Sequence, residues 1–430
     1  MHIIKKLGFY GLFFSLPLIA TLKGKGILVS LFVAFFLFDG PQACVSMIKR
    51  PLSLKKWILS PSLKVGILCT VALFCVYVRN WESMFTLLRL VGLALIVAAT
   101  SLGIQTQSAD TRHHVTKVFL GGGLFYIGFF LWEIYGPAWA SKCITDNTGF
   151  NVALFIRGTV ILTFLAIPML IAVDRFDSPK KTFAHIFILI SLILILLKAQ
   201  PSAARLSVIG GVFFFWLSYY HWKTIKLLFV LMGGWLLSAP FIFKYFINKN
   251  TLFKWMHYLP DSYQHRVQIW ETFSNIALTR PFFGYGLGFR PLLNESEYGS
   301  PLCLFYGKES VNIMRSTTLP DGISYYDWGQ RVCLNESVLT THPHNGPLQI
   351  WLESGAYGAL TFLFLIYFLY RVMNKLNTAY RPYTMAVIGM YFVYWNISFG
   401  MWQTWFLALV ALTFLLFQII NGLPFKGKQS

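Results

Sequence analysis

Charged residues are scarce in this chain of 430 residues: they make up 12% of it, where about a quarter is usual in soluble domains. Hydrophobic residues make up 56%, and the mean hydropathy is +0.59. This composition excludes a soluble globular protein and predicts an all-α polytopic membrane protein. The net charge of +20 would suggest nucleic-acid binding in a soluble chain, but in a membrane protein basic residues first report orientation. We therefore predict no nucleic-acid partner.

The sequence also lacks the common metal and redox motifs. Its six cysteines include no CxxC pair and no cysteine–histidine cluster, and it has no DxD motif or other carboxylate cluster. These absences argue against a zinc site, a redox centre and a carboxylate-held metal, so we predict neither a metal nor a cofactor. Cys303 and Cys333 share one long polar segment, and they would form a disulfide if that segment faces an oxidising compartment.

Twelve apolar runs are long enough to span a bilayer, which takes ~20 residues. If the N-terminus is cytoplasmic, the short inside connections hold eighteen lysines and arginines, and the short outside connections hold four. Because basic residues collect on the cytoplasmic side, both termini are predicted to be cytoplasmic. The runs lie at about 7–22, 26–43, 61–78, 83–103, 116–136, 151–173, 182–199, 203–220, 226–246, 346–370, 383–399 and 401–420.

One connection differs from all the others. It covers residues 247–345 on the predicted outer side, and it separates nine spans in residues 1–246 from three spans in residues 346–430. Loops of that length usually carry function. Within it, Ser262–Leu278 predicts an amphipathic helix with Arg266 beside its apolar face. The turn-rich PFFGYGLGF follows, and its glycines lack the strand–loop–helix context of a nucleotide-binding loop.

Three arginines lie near the predicted outer boundary of the membrane. Arg205 begins its span in SAARLSVIGG, Arg157 lies about two turns deeper in another span, and Arg266 is on the loop helix. Each arginine also has a structural explanation: Arg205 as an interfacial anchor, Arg157 as a partner in a buried pair, and Arg266 as part of an exposed helix face. However, the spans offer these arginines no nearby acidic partner, which indicates an anionic ligand. Arg205 and Arg266 could hold a pyrophosphate, with Arg157 as a candidate supporting residue.

The stretch THPHNGPLQIWLESGAYG joins the long polar segment to an apolar helix, and it places His344 and Asn345 at the join. Histidine, proline and glycine are also ordinary capping residues, so capping alone is one explanation. With an ordinary pKa near 6.5, His344 suits a general base that takes a proton from a sugar hydroxyl, and Asn345 would orient the histidine or a sugar. His342 is a further candidate. His342 and His344 could also be an HxH metal-binding pair, but the sequence offers no third ligand at a suitable spacing.

The spacing of this stretch resembles the signature of bacterial O-antigen ligases: His-Asn, nine residues, Gly355, two residues and Gly358. The resemblance extends to the twelve-span topology, the single large loop, SAARLSVIGG, PFFGYGLGF and FGMWQTWF near the end. It implies a fold related to the C-class membrane glycosyltransferases, placed in the bacterial inner membrane with a periplasmic active site. By the same resemblance, Arg205 and Arg266 bind the undecaprenyl pyrophosphate donor and His344 is the base.

The implied reaction moves O-antigen polysaccharide from undecaprenyl pyrophosphate to a sugar hydroxyl of lipid A–core, without a metal and with inversion. The implied partners are this lipid-linked glycan, the lipid A–core acceptor and membrane lipid. O-antigen polymerase and protein O-oligosaccharyltransferase are alternatives with similar donors. A lipid-linked sugar transporter or flippase is an alternative of another class, but such proteins tend to show internal repeats and ionisable groups at the midplane.

Overall fold

The computed structural model describes about two thirds of the chain. The three predicted spans at 7–22, 26–43 and 61–78 lie almost entirely outside the described residues. For residues 301–305 and 331–337 only the backbone is described. The described residues are 10–12, 33–38, 42, 81–138, 141–142, 152–176, 179–199, 202–248, 252–256, 258–289, 293, 301–305, 331–337, 339–340, 342–376, 378–398 and 400–421.

Helices account for most of the described chain. They are α1 (Trp81–Thr106), α2 (Ala109–Tyr135), α3 (Val152–Asp174), α4 (Lys181–Ala199), α5 (Ser202–Tyr220), α6 (Ile225–Tyr245), α7 (Phe253–Met256), α8 (Asp261–Ala277), α9 (Gly346–Lys375), α10 (Arg381–Ile397) and α11 (Thr404–Asn421), with short 3₁₀ turns at Trp222–Thr224 and Thr378–Tyr380. Among the described residues, eight helices are long and apolar enough to cross a membrane. A polytopic helical membrane protein is thereby confirmed, while the count of twelve spans stays a prediction.

Helix α10 packs against α3 and α5, which carry the candidate residues Arg157 and Arg205. Phe164 of α3 is fully buried and stacks on Tyr391 of α10, with 4.2 Å between ring centroids. Helix α5 approaches α10 through small residues: a Cβ added to Gly210 would lie 2.5 Å from Val393, and one added to Gly389 would lie 2.6 Å from Phe214. Small residues allow this close contact between membrane helices.

These α5 contacts show that α5 and α10 run antiparallel, and the pairing fixes the height of Arg205. Gly210 lies beside Val393, and Arg205 precedes it by five residues, or ~7.5 Å at 1.5 Å per residue. Ile397 follows Val393 by four residues, or ~6 Å in the same direction. Arg205 is therefore level with the C-terminal end of α10.

The helix α9 is broken at Gly355, which has φ 58° and ψ −155°. This backbone conformation is available essentially only to glycine. The loop 281–289, which is PFFGYGLGF, occupies the break. Its carbonyl groups accept from α9 at Ala356 N–Pro281 O (2.7 Å) and Tyr357 N–Phe282 O (3.2 Å), and its amides donate at Tyr285 N–Leu352 O (2.6 Å) and Gly286 N–Glu353 O (2.9 Å). The loop thus replaces the hydrogen bonds that a continuous helix would make.

The all-α expectation holds for the bundle but is incomplete for the long polar segment. Strands β1 (Pro301–Phe305) and β2 (Arg331–Ser337) form a two-stranded antiparallel sheet there. The two strands are short and 25 residues of sequence separate them, so local sequence patterns gave no signal for their pairing. Their register places Cys303 directly opposite Cys333.

We expect Cys303 and Cys333 to be joined by a disulfide in protein isolated without reductant. Directly opposed residues of antiparallel strands have Cα atoms ~4.5–5.5 Å apart, which is within the range that disulfides require. Peptide mapping by mass spectrometry after alkylation without reduction should give one cross-linked peptide pair. Alkylation of both thiols in the untreated protein would contradict the prediction, and Cys303→Ser should free Cys333 for labelling.

Candidate functional site

Three consecutive main-chain carbonyls at the C-terminal end of α10 each accept a hydrogen bond from a different polar side chain. A helix leaves its last carbonyls without intrahelical donors, so these positions need partners from elsewhere in the fold. The pairs are Asn345 Nδ2 to Asn396 O at 3.0 Å, Arg266 Nε to Ile397 O at 3.1 Å, and His344 Nδ1 to Ser398 O at 2.9 Å. The structure thus brings together the loop arginine and the histidine that the sequence singled out.

Asn345 is a structural bridge between two helices. Its Oδ1 accepts from the backbone N–H of Leu348 at 3.0 Å and caps the N-terminus of α9, while its Nδ2 donates to the end of α10. Asn345 is thus the N-cap of α9, a role that the sequence analysis did not assign to it. It also positions its neighbour, because His344 precedes the cap directly.

His344 is held as a neutral imidazole with one free nitrogen. A carbonyl oxygen can only accept, so the bond to Ser398 O puts the proton on Nδ1 and leaves Nε2 with its lone pair. The pKa of His344 is lowered from 6.5 to about 4, chiefly by burial; His342 and Arg266 act in the same direction as burial, and the Ser398 carbonyl opposes them. The backbone of His344 is left-handed, with φ 51°, so its placement carries strain of the kind found at functional sites.

Arg266 uses only part of its guanidinium to hold its position. Its Nε donates to Ile397 O, and its Nη1 donates to Ser262 O at 2.8 Å. The guanidinium also lies over the ring of Tyr263, 5.5 Å from the centroid. Burial lowers the pKa of Arg266. Within the described part of the chain no acceptor meets Nη2, which leaves this amino group for an anionic ligand beside His344.

His342 packs against His344, with 4.3 Å between ring centroids. Gln403 Oε1 accepts from the indole of Trp405 at 2.7 Å, so its Nε2 faces His342 Nε2 at 3.3 Å and donates to it. Burial lowers the pKa of His342. In the described ranges, no group of three His, Cys, Asp or Glu side chains is placed to hold a metal ion. If His342 Nε2 accepts from Gln403, its proton is on Nδ1, which is buried without a hydrogen-bond partner among the described residues.

Arg205 uses only part of its guanidinium to contact a neighbouring helix. Its Nε donates to Leu196 O at 2.9 Å and its Nη2 to Leu197 O at 3.1 Å, so it caps the C-terminal end of α4. Nη1 has no acceptor among the residues that the structure describes. The contact orients the guanidinium at the height of the α10 end, which is compatible with both anchoring and phosphate binding.

Arg157 also approaches α10. Its side chain is exposed, and its guanidinium is close enough to Tyr394 for an electrostatic interaction. Tyr394 in turn forms a side-chain hydrogen bond with Ser398, the residue whose carbonyl holds His344. No acceptor for Arg157 is found in the described segments. Arg266 and His344 therefore meet at the end of α10, and Arg157 approaches it through Tyr394. Arg205 lies at the same height, with its hydrogen bonds to the end of α4.

Sequence reasoning missed Gln349 and Glu353, which face each other one turn apart on α9. The Gln349 amide donates from Nε2 to Glu353 Oε1 at 3.0 Å and accepts at Oε1 from Met401 N at 2.8 Å. A carboxylate in a span carries an energetic cost and is itself a signal of function. In the sequence, this signal is the acidic residue Glu353 within the apolar stretch that begins at residue 346.

The fold defines a multi-pass helical membrane protein whose candidate base and candidate anion-binding arginine meet at the end of one helix. Residues 185–363 match the sequence profile of a family described as O-antigen ligase. The matched part includes Arg205, Arg266, His344 and Asn345.

Similar proteins from three Rickettsia species bear the name "putative polysaccharide ligase". The R. conorii protein is 25% identical over 302 residues, covering 70% of this chain and 65% of its own length. The R. typhi protein is 26% identical over 264 residues, with 61% and 57% covered. The R. prowazekii protein is 28% identical over 267 residues, again with 61% and 57% covered. The matched region thus spans less than two thirds of each relative.

Gly355→Ala should destabilise the protein strongly. Alanine at φ 58° and ψ −155° costs about 1–3 kcal/mol in backbone strain, and its Cβ would also lie 2.5 Å from the carbonyl carbon of Phe282. Thermal unfolding in detergent should show a clear fall in Tm. Gly234→Ala is the matched control, because its Cβ would meet nothing within 4 Å. Equal Tm values for both variants would contradict the broken-helix geometry.

The His344 imidazole should stay neutral well below pH 6. With its pKa near 4, protonation is complete only as the pH falls through that value, whereas an ordinary histidine protonates near 6.5. NMR of protein labelled with ¹⁵N-histidine should show an Nδ1-protonated neutral ring at pH 5.5, with the signal assigned by its loss in His344→Asn. A midpoint near 6.5 would overturn this prediction.

Proposed function

We propose that the protein transfers O-antigen polysaccharide from undecaprenyl pyrophosphate to a sugar hydroxyl of lipid A–core. The observation that carries the proposal is the placement of Arg266 and His344 on the adjacent carbonyls of Ile397 and Ser398. A base and an anion-binding group are thereby held side by side. The family match over residues 185–363 and the polysaccharide ligase names of the relatives support glycan joining in general.

The proposed base acts through Nε2 of His344. This nitrogen takes the proton of the acceptor hydroxyl as the hydroxyl oxygen attacks the anomeric carbon of the donor. The bond from that carbon to the pyrophosphate oxygen breaks, and the undecaprenyl pyrophosphate leaves with the electron pair. A single displacement inverts the anomeric centre. The Ser398 carbonyl supports the step, because it stabilises the Nδ1–H of the imidazolium that forms.

The proposed arginines neutralise the charge that develops on the leaving group. Arg266 offers Nη2, Arg205 offers Nη1, and Arg157 has its whole guanidinium free of acceptors among the described residues. Fixed donors aimed at developing charge can contribute about 3–4 kcal/mol each to the lowering of a barrier. Three cations near one diphosphate would let the reaction proceed without a metal.

The setting of this reaction is proposed to be the periplasmic face of the bacterial inner membrane, with both chain termini cytoplasmic. The distribution of basic residues in the short connections supports this orientation. The residues around the α10 end lie next to the long segment 247–345, which the same orientation places outside. The lipid-linked donor and acceptor would both reach the site from the outer leaflet.

Reconstitution in vesicles with undecaprenyl-linked glycan and lipid A–core tests the proposal. His344→Ala should reduce transfer by about 10³-fold or more, because the group that takes the proton of the acceptor hydroxyl is lost. His221→Ala is the control, since His221 is exposed near the short turn before α6 and should be tolerated. Arg266→Lys should reduce transfer by about tenfold or more, because lysine cannot keep both carbonyl contacts and present a further donor.

The products separate the alternatives. Label on lipid A–core supports a ligase, label on a longer lipid-linked glycan indicates a polymerase, and label on a protein indicates an oligosaccharyltransferase. Full transfer by His344→Ala would contradict the proposed base. Movement of lipid-linked glycan across the vesicle membrane without any new bond would instead indicate a transporter. A chelator should leave the wild-type rate unchanged.

A further inference from the structure

A buried carboxyl group on α9 has no part in the reaction described above. Glu353 is 2% exposed and receives three donors: Gln349 Nε2, the indole Nε1 of Trp402 and the backbone N–H of Gly288. Removing a carboxylate from water costs several kcal/mol unless such donors compensate. A group of this kind is more costly than the leucine or glutamine that would fill the same space in an ordinary helix.

Each donor to Glu353 comes from a different part of the site. Gly288 belongs to the loop 281–289, and the backbone carbonyl of Glu353 also accepts from Gly286 at 2.9 Å. Trp402 belongs to the turn 398–403 that follows α10, in which the structure describes Ser398 and residues 400–403. Gln349 lies one turn earlier on α9, in the segment that His344 and Asn345 begin. Glu353 therefore joins three chain segments that meet only in the folded protein.

The turn 398–403 is the segment that matters for His344. Its first residue, Ser398, presents the carbonyl that fixes the proton on His344 Nδ1. Its later residues are fixed by α9, because Met401 N donates to Gln349 Oε1 and the Trp402 indole donates to Glu353 Oε2. The same carboxylate orients Gln349, whose Nε2 it accepts. Both anchors of the turn thus depend on Glu353.

We propose that Glu353 is a positioning residue for the transfer reaction: it holds the turn 398–403 against α9 so that the Ser398 carbonyl keeps His344 in its reactive tautomer. The expected effect on kcat rests on the proposed function. The effect on the position and protonation of the His344 imidazole does not. Glu353 acts through Gln349, Trp402 and the turn, and it has no contact with His344 among its hydrogen bonds.

The geometry requires a carboxylate here rather than an amide. A carboxylate offers acceptors on both oxygens, whereas a glutamine side chain offers one oxygen and an NH₂ group. In Glu353→Gln the NH₂ group would face either the Trp402 indole or the Gln349 amide, both of which are donors. Gln349 could rotate its amide to relieve the conflict, but its oxygen would then no longer accept from Met401 N. Either arrangement loosens the turn.

Glu353→Gln should therefore lower kcat of transfer by about 10- to 100-fold, because a misplaced base is slow even when substrates bind. The KM values for donor and acceptor should change by less than about threefold. Ser354→Ala is the matched control: it is the neighbouring buried residue, and its hydroxyl bonds only to Ile350 O within α9. That variant should keep wild-type kcat. Wild-type kcat in Glu353→Gln would overturn the proposal, even if its Tm falls.

A double-mutant cycle tests whether the effect passes through the turn. Trp402→Phe removes the indole donor to Glu353 and should also lower kcat. If both residues act through one hydrogen bond, the double variant should be no slower than the slower single variant. Losses that multiply would show that Glu353 and Trp402 act independently, and this would contradict the proposed route.

The tautomer of His344 provides a readout that does not depend on catalysis. In ¹⁵N-histidine NMR at pH 6.5, the wild type and Ser354→Ala should show His344 protonated at Nδ1, and Glu353→Gln should show a mixture of Nδ1 and Nε2 protonation. An unchanged His344 signal in Glu353→Gln would overturn the positioning. A wild-type protein without transfer activity but with the expected NMR change would instead contradict the proposed function alone.

Discussion

The C-terminal end of α10 is the feature on which the rest of the site depends. The carbonyls of Asn396, Ile397 and Ser398 are satisfied by Asn345, Arg266 and His344, which come from two other parts of the chain. Each bond contributes only about 0.5–1.5 kcal/mol net, but an unsatisfied buried carbonyl would cost more. The need to cap one helix end therefore fixes the positions of the candidate base and the candidate anion-binding group together.

The second constraint is the exchange of backbone hydrogen bonds between loop 281–289 and the break in α9. Gly284 and Gly355 both adopt positive φ, and a Cβ at Gly284 would lie 2.5 Å from the backbone of Glu353. The loop PFFGYGLGF and the stretch THPHNGPLQIWLESGAYG thus form the two sides of one contact. This contact ends the buried first turns of α9, which follow the cap Asn345 and carry Gln349 and Glu353, and it precedes the part of α9 with more exposed side chains. The spacing between His344 and Gly355 sets the distance from the helix entrance to the break.

Local patterns predicted the membrane helices, because hydropathy is read over short windows. The same patterns identified Arg266 and His344, whose side chains are unusual in their surroundings. They could not reveal the partner of His344, since Ser398 lies 54 residues away and contributes a backbone carbonyl that every residue has. The pairing of β1 with β2 is long-range in the same sense. Glu353 was detectable as an acidic residue in an apolar helix, but its partners Gly288 and Trp402 were not.

The electrostatics of the site link the donor to the base. A helix C-terminus ordinarily favours a protonated histidine, yet burial outweighs the Ser398 carbonyl and keeps His344 neutral. Arg266 acts in the same direction as burial, because its charge disfavours a second cation beside it. In the proposed reaction, a bound pyrophosphate would offset the charge of Arg266 and so raise the affinity of His344 for a proton. His344 would then be a stronger base when a donor is present than when the site holds no anion.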